Sequence, residues 1–191
     1  MRVIAGNLRG RLFVAPKGTD TRPTTDRVRE AIFSMIGPYF VGGVCLDLFA
    51  GSGALGIEAI SRGMSQTIFV DKMSSETVLS NVRKLGIEKA AYILRVTYPI
   101  ALKRLAKENH KVDLVFLDPP YQMGLLADAL DLLITFDILQ ANAILVAEMD
   151  QKTQTPSHPA LQIRKETVYG VTKVVIYHYE YPITVNTNVA R

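Results

Sequence analysis

A single cysteine in 191 residues is the first informative scarcity. Cys45 has no partner in the chain for a disulfide, which excludes a stapled secreted scaffold, and its place in an apolar run suits a reducing compartment. Histidine is also scarce. His110 precedes a strand-like run, His158 lies in a proline-flanked loop and His178 falls in what reads as an edge strand. None of the three joins Cys45 in a zinc-binding pattern or has a partner that suggests catalysis. Long apolar runs are missing as well. The longest, Leu125 to Met149, is interrupted by Asp128, Asp131, Asp137 and Asn142, too many polar groups for a bilayer span. Met1 to Gly10 alternates charged and apolar residues and lacks the continuous apolar segment of a signal peptide. The expectation is a cytoplasmic protein with no membrane partner and no metal. Low-complexity tracts, internal repeats and dividing linkers are absent too.

What is present points to one folded core. Apolar side chains make up 48% of the chain and charged ones 21%, and a chain of this length buries roughly 70% of its unfolded surface. The net charge is +4, and its distribution is uneven. Residues 1–30 carry seven basic side chains (Arg2, Arg9, Arg11, Lys17, Arg22, Arg27, Arg29) against three acidic ones (Asp20, Asp26, Glu30), a difference equal to the excess of the whole chain. Positive charge gathered on one segment attracts polyanions and suggests a nucleic-acid partner, with Arg9, Arg11, Arg22 and Arg27 as contact candidates. A solvated basic arm explains the same charge.

Gly6, Gly10, Pro16 and Gly18 break the first stretch into short extended pieces, so residues 1–20 read as a small hairpin-like extension ahead of a domain over 21–183. After Pro23, the residues at 24–26 offer N-caps. Val28, Ala31, Ile32, Met35 and Ile36 then recur at helical spacing, with Arg27, Arg29, Glu30 and Ser34 on the other face, until Gly37-Pro38 stops the run. From residue 44 onward, strand-like runs near 44–49, 67–71, 91–96, 112–118 and 143–148 alternate with helix-length amphipathic segments. This alternation predicts an α/β fold with a parallel sheet covered on both faces. The runs 161–168 and 171–179, joined by Tyr169-Gly170, leave no room for a helix and predict an antiparallel hairpin at the sheet edge. Seven strands are expected in all.

Asp47-Leu-Phe49-Ala-Gly51-Ser52-Gly53-Ala-Leu-Gly56 follows a strand and opens a helix, so its three glycines sit where a tight turn brings backbone close to a ligand. Asp71, about 20 residues on and at the end of the next strand, is in register to accept hydrogen bonds from ribose hydroxyls. Taken alone, this spacing suits a nicotinamide or flavin dinucleotide equally well. Asp47 shifts the balance: a carboxylate before the turn repels a pyrophosphate but suits the cationic ammonium and sulfonium groups of S-adenosylmethionine.

Asp118-Pro119-Pro120-Tyr121 ends the fourth apolar strand, at the carboxyl edge of the sheet where folds of this class bind ligands. An exocyclic base amine is a poor nucleophile because its lone pair is delocalised into the ring. The Asp118 carboxylate and the Pro119 carbonyl can accept its N–H groups and hold the nitrogen in a more reactive state, on a backbone stiffened by two prolines. Tyr121 offers a face for stacking the base, worth roughly 1–3 kcal/mol. A base inside a duplex cannot reach such a pocket, so the substrate must present a flipped or unstacked nucleotide, as RNA loops do at least cost.

With these residues assembled, the chain resembles the RsmD-type family of 16S ribosomal RNA guanine-N2 methyltransferases over nearly its full length. Three stretches carry the likeness: Met1 to Arg11, Arg22 to Phe33, and Asp47 to Ala59 together with Asp118 to Tyr121. The resemblance implies a Rossmann-like methyltransferase sheet with a small N-terminal extension. It also implies S-adenosylmethionine as donor and a guanine of the small ribosomal subunit as acceptor, presented on a particle partly assembled with ribosomal proteins. It further implies donor binding by Asp47, Phe49, Gly51, Ser52, Gly53, Gly56 and Asp71, with Thr24 in the bordering segment, and catalysis by Asp118 to Tyr121. One departure stands out. Members of this family commonly place an acidic residue near the adenine after the third strand, whereas this chain reads Arg95-Val-Thr97-Tyr98-Pro99.

A DNA amino-methyltransferase shares the tetrad but usually carries an additional target-recognition region. Protein-glutamine methyltransferases resemble this chain with asparagine at the position of Asp118. A nicotinamide oxidoreductase leaves the tetrad idle. The non-enzymatic alternative is an RNA-binding assembly factor, motivated by the basic arm.

Overall fold

The computed structural model of the chain describes residues 1–15, 25–119 and 124–180. Its seven strands are β1 (Val44–Asp47), β2 (Gln66–Val70), β3 (Ala91–Leu94), β4 (Val112–Leu117), β5 (Leu139–Asp150), β6 (Leu161–Tyr169) and β7 (Thr172–Tyr179). They form one sheet in the order β3-β2-β1-β4-β5-β7-β6. β1 to β5 pair in parallel, and β7 runs antiparallel to both its neighbours. The helices are α1 (Asp26–Ile36), α2 (Ala54–Ser61), α3 (Ser75–Leu85), α4 (Tyr98–Lys107) and α5 (Leu125–Thr135), with a 3-10 turn at Glu88–Ala90. This is the mostly parallel, Rossmann-like sheet with an antiparallel C-terminal hairpin that the alternation of runs predicts. Among the described residues, no helix is long and apolar enough to cross a membrane.

Successive strand residues point to opposite faces, and the core divides accordingly. Leu46, Val115 and Leu145 pack with Ala101, Leu102 and Leu105 of α4 and with Ala129, Leu130 and Leu133 of α5. Their chain neighbours Cys45, Leu114, Phe116 and Val146 pack on the other face with α1 and α2. Alongside, Phe69 meets α2 and α3 through Ala54, Ile57, Val78 and Val82. Both faces of the parallel strands are therefore covered, which is why these strands read as apolar runs with no polar alternation.

Three expectations change. β5 begins at Leu139, earlier than 143, because Asn142 takes a left-handed φ of +65° and the register against β4 shifts between Val112 and Leu114. Such a bulge erases the two-residue period that marks a strand. His178 is not on an edge strand, because β7 lies between β5 and β6. Val174 to Tyr177 are buried in succession, so β7 is the hairpin strand that fits inside the sheet, while β6 presents Gln162 to Glu166 to solvent. Arg164 and Lys165 on that open edge discourage pairing with another chain. Arg29, expected on the solvent side of α1, is fully buried. The N-terminal arm covers that face and supplies its partners.

The arm closes on itself through an antiparallel bridge between Arg2 and Leu12, and it buries Val3 and Phe13 against α2 and α3. Its other anchors are polar. Ile4 and Ala5 each donate a backbone N–H to the Glu58 carboxylate at 2.9 Å, and Ser61 Oγ donates to the Ala5 carbonyl at 2.5 Å. Gly6 lies so close to the end of α2 that a Cβ there would sit 1.8 Å from the Ser61 carbonyl oxygen. Glu58 is buried in the middle of a helix that is otherwise uncharged. It also accepts from Arg62 Nε at 2.8 Å and has Arg29 Nε 3.8 Å away. Arg29 in turn donates through Nη2 to the Arg2 carbonyl and to Asp26. Glu58 and Arg62 are paired and hydrogen-bonded, as their desolvation requires, whereas Arg29 is hydrogen-bonded through Nη2 alone, its Nε and Nη1 having no such partner among the described residues.

Candidate functional site

The strand order reverses between β1 and β4: β2 and β3 extend the sheet on one side, and β5 extends it on the other. A crevice at the carboxyl ends of the two central strands is the usual ligand site of such a sheet. Asp47 ends β1 and Asp118 directly follows β4. Asp47 is registered on Phe116, two residues before Asp118, so the two carboxylates leave neighbouring strands with the same parity.

The glycine-rich turn is anchored at its start, where Leu48 N–H donates to the Phe116 carbonyl at 3.1 Å and Ala50 N–H to the Val70 carbonyl at 3.0 Å. Gly51 and Gly53 adopt positive φ values of +54° and +80°, which glycine enters without penalty. A Cβ on Gly51 would meet nothing within 4 Å among the described residues, so the turn is open toward them there. Gly56 has a different reason to be glycine. A Cβ at that position would fall 2.4 Å from the Phe69 ring, so the residue permits close packing of α2 on β2.

Three buried or half-buried groups shape this turn. Asp47 accepts the Gly56 N–H at 3.0 Å, satisfying a donor in the first turn of α2. Asp71 accepts Gly51 N–H through Oδ2 at 2.9 Å, and Met73 and Ser74 N–H through Oδ1 at 2.8 and 2.6 Å. These three donors use most of the roughly four lone-pair directions of a carboxylate, so Asp71 shapes the turn as well as lying beside it. Ser52 is buried, and its carbonyl accepts from Asn81 Nδ2 at 2.9 Å.

Burial raises the Asp47 carboxyl to about 7, opposed by the Gly56 N–H and reinforced by the nearby negative charges of Asp118 and Asp71. Asp118, half-buried beside the same crevice, is also pushed up to about 7 by burial. Among the described residues, no lysine or arginine forms an ion pair with either group. A cationic ligand would relieve both, and the open space beside Gly51 would admit it. Pro119 is buried, while Pro120 and Tyr121 lie outside the described residues, as do Thr24 and Arg22.

Phe49 is half-buried, with its ring 5.3 Å from that of Tyr98, whose hydroxyl donates to Asp128 at 2.7 Å. Tyr98 begins α4 and so brings the segment after β3 against the turn after β1, a contact not foreseen from sequence. Thr97 is the exposed N-cap of α4 and makes no side-chain cap bond, and Arg95 is engaged by Glu76 at 2.8 Å.

The arginines of the basic segment separate. Arg9 is exposed in the tip of the arm and Arg27 is exposed in the first turn of α1. The Arg11 guanidinium donates to the Leu85 and Lys84 carbonyls at 2.7 and 3.2 Å, capping the C-terminus of α3. Asn81 and Glu58 are the polar residues of this region that sequence reasoning passed over. The available signal was an asparagine at an apolar-phase position of the amphipathic α3 and a single charged residue in the otherwise uncharged α2.

The family model described as Conserved hypothetical protein 95 matches residues 1–178. YlbH of Bacillus subtilis is 47% identical over 181 residues, covering 93% of this chain and 98% of that protein. Ribosomal RNA small subunit methyltransferase D of Escherichia coli is 36% identical over 183 residues, covering 94% and 90%. The solved structure of Escherichia coli yhhF superposes with a TM-score of 0.82 at 33% identity over 94% of this chain and 98% of that one.

Proposed function

From the premise that the chain belongs to the Conserved hypothetical protein 95 family, which its likeness to ribosomal RNA small subunit methyltransferase D also shows, we propose that it is an S-adenosylmethionine-dependent ribosomal RNA methyltransferase. The acceptor is the exocyclic N2 amine of a guanine in 16S ribosomal RNA, presented on a small-subunit assembly particle in the cytoplasm. The observation that carries this reading is the pair of carboxylates at the reversal point of the sheet, Asp47 beside the glycine turn and Asp118 beside Pro119.

The donor, when bound, supplies a methyl group activated by a sulfonium. The protein's own groups do the rest. Asp47, raised by burial and lacking a cationic partner among the described residues, provides negative charge for the positive end of the donor. Gly51, Ser52, Gly53 and Gly56 let backbone approach it, while Phe49 and Asp71 border the nucleoside. Asp118 and the Pro119 carbonyl accept the N–H groups of the base amine and orient its lone pair, and Pro120 and Tyr121 complete the base pocket. Thr24 borders the donor. Arg9, Arg22 and Arg27 contact RNA phosphates, and so does Arg11 when its capping role leaves donors free. Residues 1–20 act as the arm of a catalytic domain over 21–183.

The test is to offer labelled donor to naked ribosomal RNA, to small subunits lacking the modification, and to duplex DNA, and then to identify the methylated nucleoside. N2-methylguanosine from RNA or subunits is the expected product. A methylated adenine or cytosine, or no transfer to any of the three, overturns the proposal.

A further inference from the structure

Asn81 lies within α3 with no exposed surface, so it cannot touch a ligand in the crevice. Its carboxamide nevertheless makes three hydrogen bonds to two segments remote in sequence. Nδ2 donates to the Ser52 carbonyl at 2.9 Å and to the Val14 carbonyl at 2.8 Å, and Oδ1 accepts the Val14 N–H at 2.8 Å. Toward the arm, the side chain therefore satisfies both backbone groups of one residue, as a paired strand would. Toward the glycine turn, it holds the carbonyl between Gly51 and Gly53, the two residues with positive φ. Asp71 and Asp47 hold the turn through Gly51 and Gly56 N–H. Asn81 is neutral and holds the turn from behind.

The geometry points to Asn81 as a positioning residue that couples the N-terminal arm to the glycine-rich turn, so that the arm's docking sets the affinity for the donor. This rests on the reading of the turn as a donor site and adds a regulatory link to it. When the arm is docked, Val14 holds the carboxamide in the rotamer that reaches Ser52. Where that contact is lost, the turn loses its rear support and the donor is held less tightly. Arg11, capping α3 one turn further on, provides a second anchor of the arm on the same helix.

The experiment measures S-adenosylhomocysteine binding by calorimetry, together with kcat and the KM for donor, in the full chain. Asn81→Asp keeps the acceptor for Val14 N–H but turns lone pairs toward two carbonyls. The expected result is a donor Kd and KM raised about tenfold or more, with kcat at saturating donor and RNA affinity within about threefold of the parent. Val14→Pro removes the arm's N–H donor to Asn81 and fixes φ at that residue, at an exposed position outside the crevice. It is expected to weaken donor binding several-fold in the parent and to have no further effect in the Asn81→Asp background, because both variants break the same hydrogen-bond network. The rise in donor KM at near-constant kcat is what a merely structural asparagine does not produce. If Asn81→Asp does not fold, Val14→Pro alone decides. Unchanged donor Kd in either folded variant, or additive effects in the pair, overturns the coupling. Failure of the parent to bind S-adenosylhomocysteine would instead overturn the donor-site reading.

Discussion

Asp47 and Asp118 set the pH behaviour of the ligand-free protein. Burial raises both carboxyls, so the folded chain holds their protons more tightly than the unfolded chain does. A raised folded-state value means a stabilising contribution that is present at low pH and is lost as pH rises through about 7. Asp47→Asn, which keeps an acceptor for Gly56 N–H, is therefore expected to melt higher than the parent at pH 8, by about 2–4 °C per kcal/mol gained. The difference should shrink as pH falls and vanish only below about 3.8, where the carboxyl is neutral in the unfolded chain as well. Donor binding moves the opposite way. A cationic ligand favours the ionised carboxylates, so its affinity should fall as pH drops below about 7, with proton release on binding in that range, and Asp47→Asn should bind it weakly at every pH. Asp118→Ala removes one amine acceptor. If that bond contributes about 1.5–3 kcal/mol in the transition state, turnover falls ten- to over a hundredfold while calorimetry still detects donor binding. Full activity would remove Asp118 from the catalytic assignment.

The N-terminal arm is the element whose chemistry departs most from its composition. Its glycines look alike in sequence and differ in space. Gly6 has φ +81° and presses on the Ser61 carbonyl, whereas Gly10 has φ +80° with nothing within 4 Å of a Cβ. Gly6→Ala should cost about 2–5 kcal/mol through combined clash and backbone strain, and Gly10→Ala only about 1–2 kcal/mol through strain alone. Equal melting temperatures for the two variants would contradict the docked position of the arm. Its arginines divide in the same way. Arg11→Ala should lower the melting temperature by uncapping α3. Arg9→Ala should leave stability unchanged and reduce the slope of RNA affinity against salt by up to about one unit. An unchanged slope in Arg9→Ala would make the arm's tip a bystander in RNA binding.

At the scale of the whole molecule, Glu58 joins the arm, α1, α2 and, through Arg62 Nη1 on the Pro38 carbonyl, the loop before β1. Glu58→Gln leaves the buried Arg62 guanidinium without a counter-charge and Arg29 with Asp26 alone, and is expected to cost about 3–5 kcal/mol. The loss should be read from a denaturant midpoint with an unchanged slope, because arm and sheet share one core. A loss below about 1 kcal/mol, or a separate early transition, would show that the arm is an appendage. The amino-acid sequence by itself determined the seven strands, the glycine turn and the aspartate-proline ending of β4, because hydrophobic period and turn chemistry are local and can be counted along the chain. Only the tertiary structure decided that Arg29 is buried, that Arg11 caps a helix, that β7 lies inside the sheet and β6 at its edge, and that Asn81 bridges Val14 and Ser52. Each of those depends on a partner remote in the chain, 67 residues away for Asn81 and Val14. A buried polar group takes its role from whichever partner satisfies it, and one-dimensional periodicity carries no record of that partner.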